Sequence, residues 1–172
     1  MNADSIAPKI GRKMMILAWI IGLGLMTWTF GSWQEERRNP NSSPQSAEAG
    51  GATQVKLLRN RQGHYVTSGK INQQAVTFLI DTGATTVAIP GELQQALGLN
   101  AGNRQSSITA NGTATSYATL IERLEIGEIV LFDVRASILP NMPGQQILLG
   151  MSALREIEFS QKGDRLILRQ AL

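Results

Sequence analysis

At 172 residues and a formal charge of +3, the chain has room for one domain plus short extras. It has no cysteine, which excludes disulfides, thiol catalysis and zinc–thiolate sites, and its scattered basic residues form no stripe interleaved with aromatics of the kind that binds nucleic acid. His64 is the only histidine and no Gly-x-Ser-x-Gly surrounds any serine, so a Ser-His-Asp triad has little to build on; a lone histidine at a strand start reads as a surface or edge residue.

Residues 1–13 read as a cytoplasmic N-terminus carrying Lys9, Arg12 and Lys13. Residues 14–33 contain no charge and, as a helix, span about 30 Å, enough to cross the hydrocarbon core. Trp28 and Trp33 suit one membrane interface. Three basic residues before the run against Arg37 and Arg38 after it favour an N-terminus inside, with the remainder of the chain on the extracytoplasmic side of an inner membrane. A cleaved signal peptide is the main alternative, but its apolar core is shorter and a small-x-small site comes closely after it. Ala47-Glu48-Ala49 has that form far downstream, and a soluble secreted product would result if cleavage occurred. A buried core helix is the other alternative, and it fits an uncharged run this long poorly.

Residues 34–53 are predicted as a flexible linker. From Asn39 to Thr53 they are small and polar, rich in Pro and Gly, with no apolar periodicity. From Gln54 short β-like runs alternate with turn signals, as in an all-β sandwich or barrel. The expected strands are 55–58, 65–71, 75–80 and 85–89, the last stopped by Pro90-Gly91. Residues 92–97 read as a short helix capped by Gly98. Runs 104–109 and 115–121 flank Ala110-Asn111-Gly112-Thr113, and Asn-Gly between strands is a strong hairpin signal. Its tip is small and polar, so it reads either as a plain surface hairpin or as a mobile flap. Runs 124–126 and 129–131 pair around Gly127-Glu128, then comes 134–139. Residues 151–156 read as a second short helix, and 157–159 with 166–168 close the domain around Gly163.

The most informative segment is Asp81-Thr82-Gly83-Ala84-Thr85, placed at the close of an apolar strand. A carboxylate there is costly to bury unless it is hydrogen-bonded or shares a proton. Thr-Gly supplies a hydroxyl, backbone N–H groups and a tight turn. Asp-x-Gly alone is also a common turn. Much later comes a second apolar run closed by glycine: Ile147, Leu148, Leu149 and Gly150.

The two motifs at this spacing resemble those of retropepsin-type aspartic proteases. With the N-terminal apolar segment and Leu149-Gly150-Met151-Ser152-Ala153-Leu154, the chain is similar more narrowly to the bacterial membrane-anchored retropepsin-like proteases. The resemblance covers roughly residues 55–172. It implies an all-β fold, a retropepsin-like closed β-barrel or sandwich with one or two short helices. It makes Asp81 the catalytic acid and has the Thr82 hydroxyl hold two active-site loops together. Gly83 and Ala84 leave room for substrate, Ala110, Asn111, Gly112 and Thr113 form the flap, and the Ile147–Gly150 run supports the active-site loop from beneath. Retroviral relatives usually carry Gly-Arg-Asn or Gly-Arg-Asp after that run, whereas Met151-Ser152 comes after Gly150 here, so any arginine salt bridge of theirs is absent.

Aspartic proteolysis uses two carboxyls that share one proton. Asp133 and Asp164 sit in poor surroundings for a second acid, so the single Asp-Thr-Gly implies a homodimer with Asp81 from each subunit across a two-fold axis. No metal or cofactor is called for. The expected partners are a second copy, a protein or peptide substrate and the membrane. The competing expectation is a catalytically silent module of the same fold that binds a peptide or dimerises.

Overall fold

The computed structural model describes residues 7–109 and 112–171. They fall into two compact units, residues 1–37 and 38–172.

The first unit is formed by one helix, α1 (Ala7–Arg38), whose last residue already belongs to the second unit. Within it Gly11–Gly31, 21 residues with a mean hydropathy of 1.7, is long and apolar enough to cross a membrane. The helix runs past the expected end at residue 33 because Gln, Glu and Arg are good helix formers, and it stops where Pro40 disfavours helical backbone at Asn39. The Arg37 guanidinium lies over the Trp33 ring, 3.2 Å from its centroid, one turn away.

Residues 39–53 differ from expectation. They are not a free tether but part of the folded unit. Asn39 and Asn41 are buried, and β1 (Gln45–Glu48) pairs antiparallel with β2 (Ala52–Leu58). The cause is side-chain hydrogen bonding rather than apolar burial. Asn41 donates from Nδ2 to the carbonyls of Leu58 (2.9 Å) and Val66 (2.6 Å) and accepts at Oδ1 from the Leu58 N–H (2.7 Å).

The remaining strands are β3 (Val66–Ile71), β4 (Gln74–Ile80), β5 (Val87–Pro90), β6 (Arg104–Thr109), β7 (Gly112–Ile126), β8 (Ile129–Leu139), β9 (Gln146–Leu149), β10 (Glu158–Lys162) and β11 (Arg165–Ala171). The larger sheet has the order β3-β4-β9-β5-β8-β7-β6, and β3 also pairs with β7 through Lys70↔Glu125 and Ile71↔Leu124. That contact closes six strands into a ring from which β6 projects. The second sheet is β1-β2-β11-β10. Between them Val55, Leu57 and Leu168 of one sheet join Phe78, Ile121 and Ile147 of the other in one buried core. The fold is thus mostly β, a barrel-like sandwich as expected.

Several elements are regrouped. The runs expected at 115–121 and 124–126 are one long strand, β7, and those at 129–131 and 134–139 are one strand, β8. The register of β7 on β8 is the same on both sides of Asp133, whose φ of 52° kinks the strand without ending it. The helix expected at 92–97 is a single 3-10 turn (Gly91–Leu93) followed by further turns to Gly98, where φ is +65°. The second helix, α2 (Met151–Leu154), is shorter than its expected span of 151–156.

Candidate active site

Strand β4 pairs parallel with β9, from Thr77↔Gln146 to Ile80↔Leu149. The ladder continues one step beyond, since the Asp81 N–H donates to the Leu149 carbonyl at 3.1 Å. The acid therefore sits where the strand gives way to a turn. Gly83 N–H donates to Asp81 Oδ1 at 2.9 Å, and Ala84 N–H to the Asp81 carbonyl at 3.2 Å. A Cβ on Gly83 would lie 3.2 Å from Asp81 Oδ1, so glycine here serves close approach rather than left-handed backbone. Among the described residues this N–H is the one hydrogen-bond partner of the carboxylate.

The next turn is bolted to α2. Met151 N–H donates to the Ala84 carbonyl (2.8 Å) and Ser152 N–H to that of Thr85 (3.0 Å). Any Cβ on Gly150 would overlap the Thr86 and Ala84 carbonyls, which is why the second apolar run ends in glycine. Ile147 and Leu149 are fully buried, while Leu148, pointing the other way, is half-buried. The structure thus brings Asp81, Thr82, Gly83 and Ala84 together with Ile147, Leu148, Leu149 and Gly150.

Ser152 was not among the expected site residues. Its hydroxyl donates to the Arg135 carbonyl of β8 (2.7 Å) and accepts from the Val87 N–H of β5 (3.0 Å). Beside it the Thr86 and Ser137 hydroxyls are 3.0 Å apart. A serine after glycine carries no sequence signal for such a role; its position two residues beyond the apolar-Gly motif was the one available clue.

Asp81 is half-buried, and Thr82 and Gly83 are exposed. The Thr82 hydroxyl has no hydrogen bond among the described residues. Asp133 lies within β8 and Asp164 in the β10–β11 turn; neither shares a hydrogen bond with Asp81. A cavity of about 660 Å³ lies among Asn72, Gln73, Gln95, Glu122, Arg123 and Phe132, and no residue of the Asp81 loop lines it.

The hairpin expected as a flap exists up to its tip. β6 and β7 pair from Arg104↔Tyr117 to Thr109↔Gly112, where φ of Gly112 is +105°. Ala110 and Asn111 lie outside the described residues, whereas Gly112 and exposed Thr113 open the returning strand. Arg104 Nη2 to Thr115 Oγ1 (3.1 Å) and the Ser107–Ser116 hydroxyl pair (2.6 Å) tie the two strands lower down.

The family model described as "gag-polyprotein putative aspartyl protease" matches residues 67–156, just over half of the chain. A curated Sinorhizobium sp protein, described as an uncharacterized protein in the cobV 5′ region, is 31% identical over 123 residues, which are 69% of this chain and 53% of that protein. The chain therefore spans about half the length of that relative. Among solved structures, a retropepsin-like aspartic protease from Rickettsia conorii superposes with a TM-score of 0.60 at 26% identity, covering 74% of this chain and 96% of that one. The EIAV protease in complex with the inhibitor HBY-793 gives a TM-score of 0.46 at 19% identity, over 56% of this chain and 89% of that one. The family match spans the acid-bearing strand, the hairpin and the apolar-Gly strand alike, and the chain belongs to the retropepsin-like aspartic protease family.

Proposed function

We propose that the chain is a membrane-anchored aspartic endopeptidase whose site is completed by a second copy of itself. The observation that carries this reading is the Asp81 loop. One carboxylate is held by Gly83 N–H, fixed from behind by β9 and α2, and left open to solvent beside a Thr82 hydroxyl that lacks a partner among the described residues of its own chain.

Two such loops facing each other across a two-fold axis supply what one lacks. Carboxyls about 3 Å apart share a single proton. The ionised one takes a proton from water as its oxygen bonds to the peptide carbonyl carbon, and the protonated one gives its proton to the carbonyl oxygen. Collapse of the tetrahedral gem-diol breaks the C–N bond; the departing nitrogen receives the proton held by the first carboxyl, and one gem-diol hydroxyl returns its proton to the second, which leaves a carboxylic acid and restores the singly protonated pair. Thr82 of each loop would bond to the other loop, and the β6–β7 hairpin, with Ala110, Asn111, Gly112 and Thr113 at its end, would close over the substrate. In this reading the uncharged part of the Gly11–Gly31 segment, from residue 14 on, is a single membrane span, with Lys9, Arg12 and Lys13 on the cytoplasmic side and the protease unit outside the inner membrane.

Asp81→Asn keeps the side chain's shape and its bond from Gly83 while removing the titrating carboxyl. Cleavage of a peptide library should fall by at least roughly a thousandfold, with the denaturation profile unchanged. Retained cleavage by the Asn variant would refute the aspartic mechanism, and a wild-type chain that binds library peptides without cutting them would establish the silent module instead.

A further inference from the structure

The segment between helix and barrel bears on which substrates such an enzyme reaches. It is the asparagine-held stretch that replaces the expected tether. Asn60 Nδ2 donates to the Arg38 carbonyl (3.0 Å), the last residue of α1. Asn39 Nδ2 donates to Ser68 Oγ (3.0 Å), and its Oδ1 accepts from the Asn41 N–H (3.1 Å). The Asn41 carbonyl accepts from Ser68 N–H (3.1 Å) and Thr67 Oγ1 (3.2 Å), while its side chain links β2 to β3. Asn39, Asn41 and Asn60 are all more than nine-tenths buried.

Slack is therefore confined to the residues between Gly31, where the apolar span ends, and Arg38. As helix they advance about 11 Å. Pulled fully straight they reach at most about 25 Å. A free chain to Gln54 would have reached about 80 Å. A domain of this size is roughly 40 Å across. This bound counts chain length, so it holds for any angle between helix and domain. Every point of the domain thus stays within about 70 Å of the hydrocarbon edge.

Resting on the reading of a membrane-anchored protease, we propose that the asparagine clamp makes it a fixed-reach enzyme. Among membrane-anchored polypeptides its substrates are the membrane-proximal extracytoplasmic segments, and bonds held farther from the bilayer are out of range.

The test uses the full chain in liposomes with membrane-anchored reporters. Each reporter carries a peptide that the wild-type chain cuts in detergent. The peptide stands either directly above the reporter's own span or on a rigid spacer of about 100 Å, beyond the reach set by chain length. A second form of the protease has 60 Gly/Ser residues inserted between Gln34 and Glu35, outside the clamp, adding an r.m.s. reach of roughly 40 Å and a far larger contour. The wild type should cut the proximal reporter at least tenfold faster than the distal one, and the insertion should raise distal cleavage fivefold or more. Equal cleavage of both reporters by the wild type would overturn the proposal, as would an insertion that leaves the ratio unchanged. Cleavage of the free peptide in detergent and resistance to alkaline carbonate extraction report separately on the protease and anchor readings, and loss of either in the wild type removes the basis of the proposal.

Discussion

Ser152 shows how much one hydroxyl can hold. It satisfies the Val87 N–H and the Arg135 carbonyl at once, joining α2 to β5 and β8 just behind the turn after Asp81. Ser152→Ala leaves the Val87 donor unmatched in a partly buried setting, at a cost of about 1–3 kcal/mol. A denaturant titration should show that loss, and peptide turnover should fall with it, while Ser152→Thr, which keeps the hydroxyl, should recover most of both. Gly150→Ala should be worse, about 3 kcal/mol, because the new methyl meets two backbone carbonyls, one of which accepts the Met151 N–H. Asp81-Thr82-Gly83 was legible because an acid closing an apolar strand violates the usual pattern. Ser152 was not, because its value lies in two backbone partners, one of them 65 residues away in sequence.

The least legible element was the stretch from Asn39 to Thr53. Composition alone makes it a tether, since it has no apolar face to bury. Its order comes from Asn41 meeting β2 and β3, and that meeting exists only once those strands are aligned. Asn41→Ala leaves the Leu58 N–H and two carbonyls without this partner and should destabilise the domain by about 2–4 kcal/mol in calorimetric or chemical unfolding. A fragment beginning at Gln54 would lose both Asn41 and β1, whereas one beginning at Arg38 keeps them. The hairpin, by contrast, was readable from the turn signal between runs 104–109 and 115–121, although its returning strand already begins at Gly112. Gly112 holds φ at +105°, a conformation that a β-branched residue adopts only under strain. Gly112→Val should therefore raise KM for peptides severalfold with a smaller change in stability, if the hairpin covers the substrate as proposed.

At the scale of the whole molecule, the rough order of most strands and the barrel class could be read from turn signals, whereas β1 and the continuity of β7 and β8 could not. The parallel pairings β4–β9 and β5–β8 could not, because nothing local encodes a contact across half the domain. The single Asp-Thr-Gly also acts at this scale. In detergent, activity per chain should fall on dilution as dimers dissociate, and reconstitution into a bilayer should relieve that fall by raising the effective concentration. A ninefold excess of Asp81→Asn chains should lower the activity of each wild-type chain by roughly tenfold after subunit exchange, since nine in ten wild-type chains would then sit in mixed dimers. Activity that does not change on dilution or on adding Asn chains, in a species that sediments as a monomer, would refute the shared site.

The pairing of Asp81 with Leu149 also sets an order in time. At 5–20 residues per second, roughly 3 to 14 seconds of synthesis separate Asp81 from Leu149, whose carbonyl accepts its N–H. The apolar helix emerges before the acid, and the strand and glycine that shape its loop emerge well after it. A nascent chain thus carries Asp-Thr-Gly long before it has a formed site. Under the proposed mechanism, interrupted translation products lacking β9 and α2 would be inert.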